Sequence, residues 1–189
     1  RPRRNLMNAR TEIQRGDVTL SALSTGRKDG PAILLSNSLG AGLDMWAPQR
    51  AALEARHHVI GYDTRGHGQS STPTGDYTFD DLSADAIAVL DHFKVAKADY
   101  IGLSLGGMTG LGLGFDHADR FNKIVCACAR ADNPAPFVSS WDDRIAAIAE
   151  GGMAAIWDST VERWLTPEFF AANPELVKKL ASDFKKTTV

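Results

Sequence analysis

A serine lies between two glycines in the segment GLSLGG, where Gly102, Ser104 and Gly106 fit the pattern G-x-S-x-G. The residues before it, DYIGL, are typical of a buried strand, and those after it predict a helix rich in glycine. A serine at a sharp turn between a strand and a helix holds its hydroxyl clear of the sheet, beside the positive end of the helix dipole. This context predicts that Ser104 is a nucleophile, and the alternative is a serine in a flexible glycine-rich turn.

A nucleophilic serine acts together with two preorganised N–H donors that stabilise the oxyanion of the intermediate. The backbone N–H of Leu105, directly after Ser104, is the first predicted donor. The second usually comes from a loop that follows an earlier strand. Here that loop is SNSLGAGLDMW, and Leu39 is its predicted donor.

The histidine that would activate Ser104 is harder to place. In this type of site the chain order is serine, acid, histidine, and the only later histidine is His117. It lies on the same predicted helix, where a rise of about 1.5 Å per residue puts it roughly 20 Å from Ser104. His67 is the remaining candidate, because its loop leaves the sheet at the same edge as the serine. His57 and His58 are predicted to begin a strand, and His92 is predicted to lie on a helix.

Strands alternate with helices along most of the chain, which predicts a doubly wound, mostly parallel α/β sheet. TEIQRG and VTLSALSTG predict a hairpin at Gly16-Asp17, and AILLSNS, HVIGYD and KIVCACA predict buried strands. A helix is predicted at residues 44–56, and another follows a capping box of Thr78 and Asp81. We expect the core of the fold to span residues 7–132, with Met7 as the natural start and residues 1–6 as an upstream remnant.

Only helical patterns follow, so residues 133–189 predict a helical cap on the α/β core. Thr166-Pro167 and Asn173-Pro174 each place a capping residue before a proline at the first helical position.

The composition is that of an ordinary globular protein: 189 residues, 43% hydrophobic, 23% charged, with a net charge of −2. This balance gives no sign of nucleic acid or an anionic membrane as a partner. No secretory signal or apolar run of spanning length occurs, so a soluble cytoplasmic protein is expected. Cys126 and Cys128 are too few for a disulfide framework and do not have zinc-site spacing. They face the same side of the predicted strand KIVCACA, and we predict that both pack in the core.

Four segments together resemble the 3-oxoadipate enol-lactonases, a branch of the α/β-hydrolase superfamily. They are LLSNSLGAGLDMWAPQ, IGYDTRGHGQSS, YIGLSLGGMTG and STVERWLTPEF. The SNSLG form is the most discriminating, whereas RGHGQS and the serine turn occur across the superfamily. The resemblance implies an α/β-hydrolase fold with a helical cap, a small anionic enol-lactone as substrate, no metal and no cofactor. It also implies that His67 is a structural part of its loop.

The chain departs from this family after the cap. Relatives carry the acid and then the histidine on two further strands, and neither is found here; Asp132 is an acid position only in other relatives. We therefore expect this chain to be the N-terminal part of a longer enzyme, truncated within the cap and inactive alone, with KIVCACA left as an exposed edge strand. The remainder would be supplied by the same polypeptide or as a separate C-terminal fragment.

An anionic substrate requires a cation in its pocket. Arg130 follows a strand at the edge where open α/β sheets bind ligands, and its guanidinium could hold a carboxylate. Trp141 and Arg144, at the start of the cap, are further candidates for substrate binding. The alternatives are an ordinary salt bridge for Arg130 and core packing for Trp141.

Two other functions stay open. One is a different carboxylester or lactone hydrolase with the same fold, because the cap sets the substrate and a fold does not determine function. The other is a non-catalytic binding protein that keeps the pocket without a working triad.

Overall fold

The computed structural model describes residues 9–187, so the predicted remnant at residues 1–6 lies outside the described residues. The chain forms two compact units, the first ending at Ala131 and the second beginning at Asp132. The predicted core domain at residues 7–132 and the predicted cap at residues 133–189 stay predictions.

A six-stranded mixed sheet forms the centre of the first unit, with the strand order β1-β2-β4-β3-β5-β6. The strands are β1 (Thr11–Arg15), β2 (Val18–Gly26), β3 (Ala32–Ser36), β4 (His58–Tyr62), β5 (Ala98–Leu103) and β6 (Phe121–Ala127). β1 and β2 form the predicted hairpin and join the sheet antiparallel, while β4, β3, β5 and β6 are parallel. β6 is an edge of the described sheet, and its Val125 side chain is half exposed.

Three helices of the first unit are α1 (Ala47–Leu53), α2 (Phe79–His92) and α3 (Leu105–Asp116). The predicted helix at residues 44–56 is a 3₁₀ turn, Leu43–Trp46, followed by α1. The regular helix begins at this point because Pro48 has no N–H to donate to an earlier carbonyl and is tolerated only in a first turn.

Successive residues of the buried strands point to opposite faces of the sheet, and each face has its own core. Leu34, Ile60 and Tyr100 pack with α2 and α3 on one face. Leu35 and Val59 pack on the other, against the segment that contains α1. The near-continuous apolar strands of the sequence are therefore explained by a sheet covered on both sides.

The second unit is helical, and its helices are α4 (Ala135–Gly151), α5 (Trp157–Trp164), α6 (Pro167–Ala172) and α7 (Pro174–Lys185). Its core is centred on the rings of Trp157, Trp164 and Phe184, which contact one another edge-on or tilted. Thr166 caps α6 by accepting from Phe169 N–H, as predicted. Asn173 precedes α7 but does not cap it, because its side-chain amide donates to the Phe169 carbonyl instead.

Candidate active site

Ser104 is the single residue between β5 and α3, and its backbone is in an unusual conformation, with φ 54° and ψ −112°. Positive φ is rare for a residue with a side chain and typically costs 1–3 kcal/mol, so the surroundings must enforce it. Its N–H donates to Ala127 O of β6 (2.9 Å), and its carbonyl accepts from Met108 N–H in α3 (2.8 Å). Ser104 therefore connects β5, the neighbouring strand β6 and the helix α3.

The glycines on either side of Ser104 are required by space. A Cβ atom on Gly102 would lie 2.2 Å from Gly106 O, and one on Gly106 would lie 2.4 Å from Ser36 O. Both are backbone atoms that cannot move aside without displacing β3 or α3. The G-x-S-x-G spacing is therefore what lets strand, turn and helix approach this closely.

The loop after β3 lies directly beside the serine turn. Asn37 O accepts from Gly106 N–H (3.0 Å), and the Asn37 side-chain amide donates to Tyr62 O (2.8 Å). Leu39 then occupies a tight turn closed by the Ala41 N–H bond to Ser38 O (3.2 Å). Asn37, which is fully buried, was not among the residues singled out from the sequence, although it lies within the discriminating SNSLG segment.

The two predicted oxyanion donors lie in these adjacent segments. Leu105 is the first residue of α3, and Leu39 is in the loop that Asn37 ties to that helix. Within residues 9–187, neither of their N–H groups has an acceptor among the hydrogen bonds of the structure. Open donors in the two segments next to the serine turn suit stabilisation of a developing oxyanion, and their role stays a prediction.

His67 has both ring nitrogens occupied. Nε2 accepts from Gly40 N–H (2.9 Å), so Nδ1 carries the proton and donates to Arg65 O (3.0 Å). Burial lowers the pKa of His67, which keeps the ring neutral in this arrangement. A ring nitrogen already bonded to a backbone amide has no free lone pair for a serine proton, so this geometry favours the structural role.

The other four histidines either have hydrogen-bond partners of their own or lie on elements away from the serine turn. His58, at the start of β4, bonds to Ser24 Oγ through Nε2 (2.7 Å), and His57 contacts Leu53 O (3.2 Å). His92 is exposed near the end of α2, and His117 follows the last residue of α3. Among the described residues, none of these is positioned as the general base.

The candidate substrate-binding residues belong to different units. Arg130 is half-buried, three residues after β6, in the first unit. Trp141 and Arg144 lie one turn apart on α4 of the second unit, with the Arg144 guanidinium carbon 4.6 Å from the centre of the Trp141 ring. Their contacts with substrate stay predictions.

The prediction that both cysteines pack in the core is wrong for Cys128. β6 ends at Ala127, and Cys128 turns away with φ 48° and is exposed. The alternation of a strand placed it on the same face as Cys126, but the strand had already ended. Cys126 is half-buried.

Residues 9–187 contain neither a metal-ligating cluster nor a membrane-spanning helix. No cluster of three or more His, Cys, Asp or Glu side chains in this part of the chain is arranged to hold a metal ion. Likewise, no helix in this range has the length and apolar character needed to cross a bilayer.

Comparison with known proteins agrees with this architecture. The family model of the alpha/beta hydrolase fold matches residues 31–169. The chain therefore belongs to the α/β-hydrolase fold family, which confirms the predicted fold class.

Within that family, the chain is similar to 3-oxoadipate enol-lactonases 2 and 1 of Acinetobacter baylyi, at 41% identity over 88% of this chain and 38% over 89%. It spans 62% of the length of each. The crystal structure of the enol-lactonase from Burkholderia xenovorans LB400 superimposes with a TM-score of 0.89 at 36% identity, covering 94% of this chain and 68% of that one. The resemblance to the enol-lactonases is therefore confirmed.

Proposed function

We propose that the protein is a serine hydrolase that opens 3-oxoadipate enol-lactone to 3-oxoadipate. The observation that carries the proposal is the strained Ser104 turn, which occurs in a chain 41% identical to an enol-lactonase over 88% of its length. A strained backbone at a nucleophile that is only partly buried, as Ser104 is, is the arrangement that a serine turn of this kind requires.

The reaction proceeds through an acyl-enzyme. Ser104 Oγ attacks the lactone carbonyl as a general base removes its proton, and the N–H groups of Leu39 and Leu105 hold the tetrahedral oxyanion. The ring oxygen leaves as an enolate, which is protonated and tautomerises to the ketone. Water, activated by the same base, then attacks the ester and releases 3-oxoadipate and free Ser104.

The base and its acid partner come from outside residues 9–187, on the same polypeptide or on a separate fragment. This inference rests on the positions of the five histidines: His67 is fully hydrogen-bonded, and the others are engaged or placed elsewhere. The polypeptide of residues 1–189 alone is then expected to have negligible lactonase activity.

The free carboxylate of the substrate needs a cationic partner, for which Arg130 is our first candidate. Its place after β6 corresponds to the edge at which open α/β sheets bind ligands. Trp141 and Arg144 are candidates for additional contacts, since a tryptophan stacked with a guanidinium presents both apolar and cationic surface.

A non-catalytic binding protein is the second candidate, and the occupied nitrogens of His67 are the observation that favours it. A hydrolase of another ester or lactone is the third, because substrate choice depends on residues outside the serine turn.

The first experiment is to determine the intact mass of the protein at its native length and then to label it with a fluorophosphonate. We expect labelling of wild type and of the control Ser159→Ala, no labelling of Ser104→Ala, and hydrolysis of the enol-lactone in preference to simple chromogenic esters. A preference for the simple esters would favour the third candidate. An unlabelled Ser104 in the full-length protein would support the binding protein and exclude the hydrolase.

A further inference from the structure

The turn that carries Leu39 determines where its N–H points. The N–H of Leu39 and the carbonyl of Ser38 belong to one peptide unit, and that carbonyl is held by Ala41 N–H (3.2 Å). Gly40, the third residue of the turn, has φ 75°, as a type II turn requires. The next peptide unit, between Leu39 and Gly40, lies at the centre of this turn, so a contact with its N–H anchors the turn as a whole.

That next peptide unit is held by a side chain from a distant loop. Gly40 N–H donates to His67 Nε2 at 2.9 Å, in a buried contact between residues 27 positions apart. His67 is itself only 7% exposed, and its ring is oriented by the Nδ1–H bond to Arg65 O. The imidazole thus presents a fixed acceptor to the turn.

The loop that carries His67 is in turn fixed by the buried carboxylate of Asp63. Asp63 accepts from Leu43 N–H (2.7 Å), at the end of the Leu39 loop, and from Gln69 N–H (2.9 Å). Arg10 completes its environment as an ion-pair partner. Gly68 is required here, because a Cβ atom would lie 2.3 Å from the Asp63 carboxyl carbon. Two loops, residues 37–43 and 63–71, are therefore joined at two points, Gly40 with His67 and Leu43 with Asp63.

We infer that His67 is a positioning residue for the oxyanion donor: by accepting from Gly40 N–H, its Nε2 atom holds in place the turn that carries the Leu39 N–H. The inference rests on the proposed function for its catalytic consequence, but not for the contact itself. Only the neutral Nδ1–H form performs this task, because a protonated ring would present an N–H to another N–H.

Two substitutions remove one hydrogen bond each and so separate positioning from general structural support. In His67→Gln the side-chain amide reaches the place of Nε2, where its oxygen can accept from Gly40 N–H while the bond to Arg65 O is lost. In His67→Asn the shorter amide lies at the place of Nδ1, where it can donate to Arg65 O while Gly40 N–H is left unpaired. His92→Gln, at an exposed position of α2, is the control.

The primary measurement is amide hydrogen exchange at Gly40, which does not depend on activity. We expect Gly40 to be protected in wild type, His67→Gln and His92→Gln, and to exchange at least tenfold faster in His67→Asn. Similar exchange at Gly40 in His67→Asn and His67→Gln would overturn the inference.

The second measurement is steady-state kinetics on the protein at its native length. Loss of a complete oxyanion donor lowers kcat by about 10²–10³-fold, so we expect displacement of one in His67→Asn to lower kcat by roughly 10–100-fold with little change in KM. Affinity for a boronic acid that forms a tetrahedral adduct should fall in parallel, while affinity for 3-oxoadipate should not. If the two variants lose kcat equally, His67 supports the fold only.

Failure of the proposed function would look different. In that case wild type would neither hydrolyse the enol-lactone nor bind the boronic acid through Ser104, yet the exchange rates at Gly40 would still differ between the two variants. The contact would then be confirmed without its catalytic consequence.

Discussion

At the scale of single residues, space decides which positions around Ser104 tolerate a side chain. α3 contains five glycines, and each would normally cost a helix interior about 0.8–1 kcal/mol relative to alanine. The structure distinguishes them by what a Cβ atom would meet. At Gly106 it would meet the backbone of Ser36 at 2.4 Å, whereas at Gly114 the nearest atom is Ile124 Cδ1 at 3.5 Å, an ordinary contact.

We therefore expect opposite effects on stability from two equivalent substitutions. Gly106→Ala should lower the free energy of unfolding by about 1–3 kcal/mol, as overpacking does. Gly114→Ala should raise it by up to about 1 kcal/mol through helix propensity. Urea denaturation of both variants measures this, and equal effects of the two would show that the close approach of α3 to β3 is not the constraint.

The two cysteines differ in exposure although they are two positions apart. Cys128 is exposed beyond the end of β6, while burial raises the pKa of the half-buried Cys126 thiol. Since the thiolate is the reactive form, Cys128 should react faster with a disulfide reagent such as dithionitrobenzoate. Cys128→Ser should remove the fast phase and Cys126→Ser the slow one. A fast phase that survives in Cys128→Ser would contradict this assignment.

At the scale of elements, local signals determine where α2 begins. Thr78 Oγ1 accepts from Asp81 N–H (3.1 Å), and Asp81 Oδ2 accepts from Thr78 N–H (3.1 Å), which is the predicted capping box. The Thr78 N–H and the Thr78 hydroxyl both donate to Asp81 Oδ2, and these two bonds lower the pKa of the Asp81 carboxyl. Thr78 and Asp81 are only three positions apart, so the capping box can be recognised from the sequence without tertiary information.

Thr78→Ala should destabilise the protein by about 1 kcal/mol, because Asp81 N–H loses its acceptor. Thr78→Ser keeps the hydroxyl and should stay close to wild type. Thermal unfolding of the two variants, compared at equal concentration, measures the difference. Equal losses in both would mean that the threonine methyl, rather than the hydroxyl, stabilises the start of α2.

Features that depend on residues close together in the sequence could be predicted, whereas contacts between distant residues could not. The hairpin at Gly16, the start of α2 and the turn at Ser104 each depend on residues a few positions apart, and the structure contains all three. The contact of His67 with Gly40 spans 27 positions, so no local pattern reveals it, and the tautomer becomes evident only when both ring partners are known. The end of β6 before Cys128 was missed for a related reason, since strand alternation does not indicate where a strand stops.

At the scale of the whole molecule, two buried histidines connect stability to pH. Burial lowers the pKa of both His58 and His67 below the ordinary 6.5. At His58 the nearby Lys28 ammonium lowers the pKa further, while at His67 the bond to Arg65 O and the charge of Asp63 act in the opposite direction. His67 Nε2 accepts from Gly40 N–H, and His58 Nε2 lies 3.3 Å from Lys28 Nζ, which can only donate, so both rings are neutral acceptors at this nitrogen.

The direction of the pH effect on stability follows from the number of protons that the unfolded and folded chains bind. Just below pH 6.5 the unfolded chain binds protons at these two histidines and the folded chain does not, so acidification favours unfolding. The stability contributed by the neutral rings is complete above pH 6.5 and decreases as the pH falls toward the lower folded-state pKa values. We therefore expect the free energy of unfolding to fall between about pH 7.5 and pH 5, before most carboxylates titrate.

Urea denaturation across this range measures the slope, and substitution shows which residues cause it. His58→Gln and His67→Gln should each flatten the dependence, whereas His92→Gln, which removes an exposed imidazole, should leave it unchanged. A wild-type free energy of unfolding that stays constant from pH 7.5 to 5 would contradict the prediction, because two neutral buried imidazoles cannot be titrated without a cost in stability. If the pH dependence of stability persists in His67→Gln but disappears in His58→Gln, then His58, which contacts Ser24 and Lys28, causes the effect.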